Sequence, residues 1–252
     1  MIHGSWMWDI VNWASLPVMA VIIALFVWRR LHREYPLFFL FLVVTELVGL
    51  LRLGARYGSS QTYFYVYWIS DLLFDFVSLL AIYELFLLRL FPHFHKTRVY
   101  RYLFGITAAI IAIGAWRAAA ASQNVNAGFA LITRVIDFSI VAMLIFFGFL
   151  MLTMGRQWNR HDFGIAFGFA LNNAAALITT AMWVRTRYRA SIVDELPVLA
   201  FDISCLIWLI VFCKPEKPLH LAPAELHPEM VRQARHWEEQ LKDWITPRKG
   251  KR

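Results

Sequence analysis

Long apolar blocks separated by short polar segments make up most of this 252-residue chain. The blocks are roughly 18–25 residues long, enough for an α-helix to cross a hydrocarbon core about 30 Å thick. Because the connecting loops are short, consecutive helices are expected to be antiparallel neighbours. The sequence therefore predicts an all-α, polytopic bundle of seven transmembrane helices. The seven predicted spans are residues 10–28, 37–53, 66–90, 102–120, 128–154, 163–184 and 198–212.

A polar segment follows the last span and completes the predicted division into a transmembrane domain, 1–213, and a cytoplasmic region, 214–252. This region begins with a proline-rich linker, and an amphipathic helix is predicted at 228–245. The apolar stripe of that helix recurs at spacings of three and four residues. It includes Met230, Trp237, Leu241 and Trp244. The opposite face carries both signs of charge, which argues against simple anchoring to anionic lipid. The helix is expected to rest on the bundle or to dock a partner protein.

The distribution of basic residues gives the predicted orientation. Eighteen of the 25 lysines and arginines, including every lysine, fall on one side of the predicted membrane, and the other seven are all arginines. The positive-inside rule then places the N-terminus outside and the C-terminus in the cytoplasm of a cell-membrane protein. The net charge of +8 therefore reports topology and not nucleic-acid binding. The chain is 60% hydrophobic, which leaves no block for a soluble catalytic domain.

Five carboxylates interrupt the predicted spans. Ionisable residues inside membrane spans are rare, and they mark functional sites by default. The five acids are Glu46, Asp71, Asp75, Asp137 and Asp202. The arginines Arg52 and Arg134 and the adjacent amides Asn172 and Asn173 also lie inside predicted spans. Together these positions predict a polar cavity that holds a ligand or protons within the bundle.

Helix rise sorts these positions into two levels, because each residue advances about 1.5 Å along the axis. Glu46, Asp75, Asp202 and the two asparagines fall near the middle of the membrane. Arg52 lies higher, where it can meet Asp71 or Asp137. Two arginines cannot neutralise five acids, so Glu46, Asp75 and Asp202 are expected to lack charge partners and to need protons, water or a small cation. A purely structural hydrogen-bonded network is the competing interpretation.

Other polar and small residues give weaker indications. Arg185, Arg187 and Arg189 form a basic rim outside the sixth span, which suits an anionic ligand or lipid headgroups. A solvated, salt-bridged loop explains them equally well. Gly164 and Gly168 are one turn apart in the same span, a spacing typical of close helix packing in membranes.

No cofactor or metal site is predicted. All eight histidines lie outside the predicted spans, which removes the usual axial ligands of a membrane haem. Seven helices with the N-terminus outside are superficially similar to the architecture of microbial rhodopsins. No span contains a lysine, however, and Leu206 stands one turn after Asp202, so a retinal Schiff base is excluded. No sequence motif of catalysis occurs.

Three functions remain open at this point. The first is a non-enzymatic, receptor-like signalling protein that uses the carboxylate-rich cavity as a sensor and the tail as an output. The second is a non-catalytic subunit of a larger membrane complex. The third is a proton- or cation-coupled transporter or channel. The expected partners are the lipid bilayer, a small cation or cationic solute, and a protein that binds the tail.

Overall fold

The computed structural model describes residues 6–90, 125–153, 158–186 and 195–214, with isolated positions between 106 and 120. These parts of the chain are helical and contain no strand, which confirms the all-α prediction for them. The six long helices are α1, Trp6–Trp28; α2, Pro36–Ala55; α3, Ser60–Tyr83; α4, Val125–Thr153; α5, Arg160–Thr186; and α6, Leu196–Cys213. Most of the predicted fourth span and the tail after 214 lie outside the described residues, so the count of seven helices stays a prediction.

Four helical segments are long and apolar enough to cross a membrane, which indicates a membrane protein. They are Pro36–Ala55, Leu131–Phe149, Arg160–Thr179 and Leu196–Cys213. The apolar part of α1 is shorter, at Trp13–Trp28. The remaining helix, α3, is not among these four segments, and tyrosine, serine and aspartate interrupt its apolar sequence.

Apolar side chains on the outer faces of these helices support the same conclusion. Large exposed apolar residues occur on α2, α3, α4 and α6, where a water-soluble bundle would carry polar groups. Examples are Leu47, Phe76, Phe138, Ile145, Leu206 and Ile210, each between 48% and 68% exposed. Lipid is the solvent that suits such a surface.

Local chemistry explains where the helices begin. Pro36 occupies the first turn of α2, where its missing N–H costs nothing. Ser59 caps α3 by accepting a hydrogen bond from the backbone N–H of Thr62 at 3.1 Å. The last helix begins at Leu196, two residues earlier than predicted, because Pro197 fits its first turn. The described chain also continues α3 as a π-helix, Glu84–Leu90.

The glycines of α5 form a close packing seam with α6. A side chain at Gly164 would collide with Val211, and one at Gly168 would collide with the indole of Trp208. The Nε1–H of Trp208 donates to the carbonyl of Gly164 at 3.1 Å, and the hydroxyl of Ser204 donates to the carbonyl of Gly168 at 2.9 Å. The predicted small-residue seam is therefore confirmed.

Aromatic side chains fill one end of the bundle, where α1 ends and α2 begins. We call this the closed end. Its aromatic core consists of Phe26, Phe38, Phe41, Phe169, Trp208 and Phe212, each at most 1% exposed. The rings of Phe26 and Phe212 lie 4.6 Å apart between centroids, and those of Phe41 and Phe169 lie 4.9 Å apart. Dense packing of this kind excludes water from the closed end.

Candidate functional site

A cavity of about 980 Å³ lies at the other end of the bundle, where α3 and α6 begin and α2 ends. We call this the cavity end. All six long helices contribute residues to the wall of the cavity. Those of α1 include Ser15 and Met19. The volume is in the upper part of the range of small-molecule sites, about 300–1,000 Å³.

The wall of the cavity collects most of the predicted polar residues. From that set it includes Glu46, Arg52, Asp71, Asp75, Asp137 and Asn172. Arg56 is a further charged residue of the wall, so four acids face two arginines there. These residues are far apart in the sequence, and four helices, α2, α3, α4 and α5, bring them to the wall of one cavity. Their use as a binding site stays a prediction.

Arg52 is held against α3 by several interactions. Its guanidinium forms an ion pair with Asp71 at 3.1 Å, one of the two partners allowed by helix rise. It also donates to the Ser70 hydroxyl at 2.7 Å and to the carbonyl of Tyr67 at 3.2 Å. The guanidinium carbon lies 4.6 Å from the centre of the Tyr67 ring, in a cation–π contact. Asp71 is thus the acid whose charge Arg52 balances.

Asp75 is the most buried acid of the cavity, at 5% exposure. Its Oδ2 atom accepts no hydrogen bond within the described structure. The carboxylates of Asp71 and Asp137 are near enough for charge repulsion to reach Asp75. One turn of α3 separates Asp71 from Asp75, and α4 brings Asp137 to them. The result is a group of three acids for which Arg52 supplies one counter-charge.

Two further acids with unpaired oxygen atoms are Glu46 of α2 and Asp202 of α6. Glu46 Oε2 and Asp202 Oδ1 are buried and accept no hydrogen bond within the described structure, and the hydroxyl oxygen of Thr45 is in the same condition. Ser15 hydrogen-bonds the carboxylate of Asp202, which is not itself part of the cavity wall. Glu46, Asp75 and Asp202 are the three acids that sequence analysis expected to lack partners.

Other predicted positions lie elsewhere. The side-chain amide of Asn173 donates to the carbonyl of Phe169 in its own helix at 2.8 Å, so it does not join the cavity wall. Arg134 lies in α4 outside that wall. Arg185 lies in the last turn of α5, while Arg187 and Arg189 lie outside the described residues. The tail residues Met230, Trp237, Leu241 and Trp244 also lie outside them.

A second polar cluster, at the closed end, was missed by sequence analysis. The hydroxyl of Tyr35 and the Nε–H of Arg89 both donate to Asp162 Oδ1, at 2.9 and 3.0 Å. The guanidinium of Arg89 also lies 3.8 Å from the centre of the Tyr35 ring and donates to the carbonyl of Glu34 at 3.0 Å. We call Tyr35, Arg89 and Asp162 the closed-end triad. It connects α5 to the residue before α2 and to the π-helix that follows α3.

Glu84 completes the closed end. Its Oε2 atom accepts a 2.7 Å hydrogen bond from the backbone N–H of Phe38, so a side chain from the π-helical extension of α3 caps the start of α2. The residue is 2% exposed and lies inside the third predicted span, where it is a sixth intramembrane acid that the count of five omitted. The signal available in the sequence was an acid inside the apolar run of the third predicted span.

The position of His161 also corrects the sequence analysis. Helix α5 begins at Arg160, three residues earlier than predicted, so His161 lies in its first turn and is 3% exposed. The prediction that all histidines lie outside the spans is wrong for this residue. Among the described residues, no group of three or more histidine, cysteine, aspartate or glutamate side chains is arranged to hold a metal ion.

Comparison with models of known protein families, with curated proteins and with solved structures found no match for this chain.

Proposed function

We propose that this protein is a multi-pass sensor of the cell membrane, with seven transmembrane helices, the N-terminus outside and the tail in the cytoplasm. Its cavity binds a small solute from the outer side, and the tail helix reports binding to a protein partner. The observation that carries the proposal is the cavity itself, with unpartnered carboxylate oxygens on Glu46 and Asp75.

Unpartnered buried acids support a site because they cost stability. Leaving a buried acceptor unsatisfied costs about 1–3 kcal/mol, and more when the group is charged. A bundle that needed these residues for packing alone would pair them, as the closed-end triad pairs Asp162. A ligand that donates to Glu46 and Asp75 would recover this energy on binding.

The difference between the two ends favours a sensor over a pore. The cavity draws its wall from the starts of α3 and α6 and from the end of α2. The aromatic core, including Phe38 and Trp208, fills the opposite end, and the rings of these two residues lie 5.4 Å apart. A pocket with a packed base suits binding from one side.

A conformational link between cavity and tail is part of the proposal. Arg52 joins α2 to α3 through Asp71 in the cavity wall, and a ligand that competes for Asp71 would weaken this link. At the other end of the same two helices, Glu84 of the α3 extension holds the start of α2. Movement of α2 against α3 would therefore be transmitted to the cytoplasmic side.

Hydrogen exchange on the full chain in nanodiscs tests this function. A solute that protects the cavity should also change exchange in residues 228–245, and Asp75→Asn should abolish both effects. Glu34→Gln is the control, because its side chain is an exposed acid outside the cavity. Exchange changes restricted to the cavity would contradict the sensor.

Proton- or cation-coupled transport is the rival that the acid group of α3 and α4 favours. Chains of acids inside the membrane are typical of proton and ion relays. Liposomes that contain the protein would then show Asp75-dependent flux under a pH or ion gradient. Such flux would replace the sensor by a transporter, whereas its absence together with the exchange result above would support the sensor.

A further inference from the structure

The wall of the cavity combines negative charge with aromatic surface. Its four acids exceed its two arginines, and Arg52 is already bonded to Asp71. The same wall also presents five aromatic side chains. They are Trp13, Tyr63, Tyr67, Phe74 and Phe201. Carboxylates and aromatic faces both attract cations, and aromatic faces also take up the hydrocarbon part of an organic cation.

Arg52 shows how this wall receives a cationic group. Its guanidinium is bonded to Asp71 and lies over the ring of Tyr67, so one acid and one aromatic face hold one positive charge. Asp75 lies one turn further along α3 and lines the same cavity as Phe74 and Phe201, whose rings lie 5.9 Å apart between centroids. The same pair of features therefore recurs at Asp75, where Oδ2 has no donor.

The size of the cavity restricts the form of the cation. A volume of about 980 Å³ would be almost empty around a bare ion. Small-molecule sites of this size bury most of a drug-sized ligand against apolar and aromatic walls, with a few polar groups that fix its orientation. The cavity thus fits a ligand with a charged head and a hydrocarbon or aromatic body.

We infer that the ligand of the cavity is an organic ammonium compound, bound through its charged head at Asp75 and through its apolar body against Phe74 and Phe201. The head completes the hydrogen bonds and the charge balance of the group formed by Asp71, Asp75 and Asp137. This inference rests on the proposed function, because it names the class of solute that the sensor binds.

Calorimetric titration of the purified full chain at constant ionic strength tests the ligand class. The cationic probes are phenethylammonium and 3,3-dimethylbutylammonium, whose primary ammonium heads donate hydrogen bonds. The neutral probes of the same shape are 2-phenylethanol and 3,3-dimethylbutan-1-ol, the anionic probe is phenylacetate, and sodium and calcium ions represent bare cations. The cationic probes should bind and raise the melting temperature by mass action, while each neutral counterpart should bind at least about tenfold more weakly, since charged hydrogen bonds contribute about 1.5–3 kcal/mol.

Variants locate the bound head. Asp75→Asn should weaken phenethylammonium binding about ten- to hundredfold. Asp137→Asn removes a charge from the same group at a less buried position, and should weaken it by a smaller factor. It serves as the second variant if Asp75→Asn does not fold. Glu34→Gln should bind phenethylammonium like the unmodified chain.

Each alternative outcome has a defined meaning. Equal binding of the neutral probes, or preferential binding of phenylacetate, with sensitivity to Asp75→Asn would overturn the ammonium ligand and leave the sensor intact. Binding of sodium or calcium alone would also overturn it. Binding of no probe by the folded, unmodified chain would overturn both the inference and the sensor.

Discussion

Two arginine–aspartate pairs hold opposite ends of this bundle, and their geometry is nearly the same. Arg52 and Asp71 approach to 3.1 Å at the cavity end, and Arg89 and Asp162 approach to 3.0 Å at the closed end. Both arginine side chains are 24% exposed, but Asp71 is 27% exposed and Asp162 is 3% exposed. The acid's surroundings, and not the distance, distinguish the pairs.

This difference extends to the groups around each pair. At the closed end, Tyr35 and Arg89 both donate to the acid. At the cavity end, Asp75 and Thr45 keep buried oxygen atoms without donors. Polar groups that are satisfied rigidify a structure, whereas unsatisfied ones store free energy that a ligand can recover. Asn159, three residues before Asp162, also keeps a buried oxygen without a donor. The contrast therefore concerns the acids: the closed-end triad resembles a structural joint, and the acids of the cavity end resemble a site.

The largest expected effect separates the two ion pairs. Arg89→Ala leaves Asp162 buried without a counter-charge and should lower the free energy of unfolding by about 3–5 kcal/mol. Arg52→Ala leaves Asp71 partly in contact with water, and should cost roughly 1 kcal/mol or less. Reversible unfolding of both variants by SDS titration in mixed micelles measures the difference. Equal losses would mean that the two ends do not differ in hydration.

An effect of intermediate size tests the packing of the α5–α6 seam. Gly168→Ala places a methyl group against the indole of Trp208, which its bond to Gly164 holds in place, so overpacking should cost about 1–3 kcal/mol. The control at the cavity end is Gly54→Ala, since nothing lies within 4 Å of the added methyl group. A helical alanine should raise the stability there by up to about 1 kcal/mol. The same SDS titration measures both, and a tolerated Gly168→Ala would contradict a rigid α5–α6 seam.

Sequence patterns predicted the features that depend on position along one helix. Apolar blocks gave the helices that the structure describes, with ends displaced by a few residues at capping groups such as Pro197. Helix rise brought Arg52 to the level of Asp71, and the one-turn spacing placed Asp71 and Asp75 on one face. The shortage of arginines predicted that Glu46, Asp75 and Asp202 lack charge partners, and one buried oxygen of each accepts no hydrogen bond within the described structure. Each of these inferences needs only helix geometry and charge counting.

Features that depend on rotation and on distant partners were not predicted. Asn173 lies at the same height as the cavity acids, yet its amide bonds back to Phe169 of its own helix. The hydroxyl of Tyr35 reaches Asp162 across 127 positions of sequence. Hydrophobic periodicity is weak in helices surrounded by lipid, because lipid-facing and buried positions are both apolar. The facing of each side chain therefore could not be derived from its spacing.

The smallest expected effect is also the most direct test of the difference between the two ends. Removing a hydroxyl group at the cavity end should not lower stability, whereas removing one from the α5–α6 seam should. Thr45 is 9% exposed, lines the cavity and has no partner for its hydroxyl oxygen. Thr45→Val keeps the shape of the side chain and removes a desolvated group, so stability should stay the same or rise by up to about 1 kcal/mol. Ser204→Ala is the matched loss at the α5–α6 seam, where the hydroxyl donates to Gly168, and it should cost about 1 kcal/mol. If Thr45→Val were as costly as Ser204→Ala in the same titration, the Thr45 hydroxyl would be satisfied by bound water. The unpaired oxygens of the cavity acids would then be expected to bond water in the same way, and these acids would no longer indicate a site that awaits a ligand.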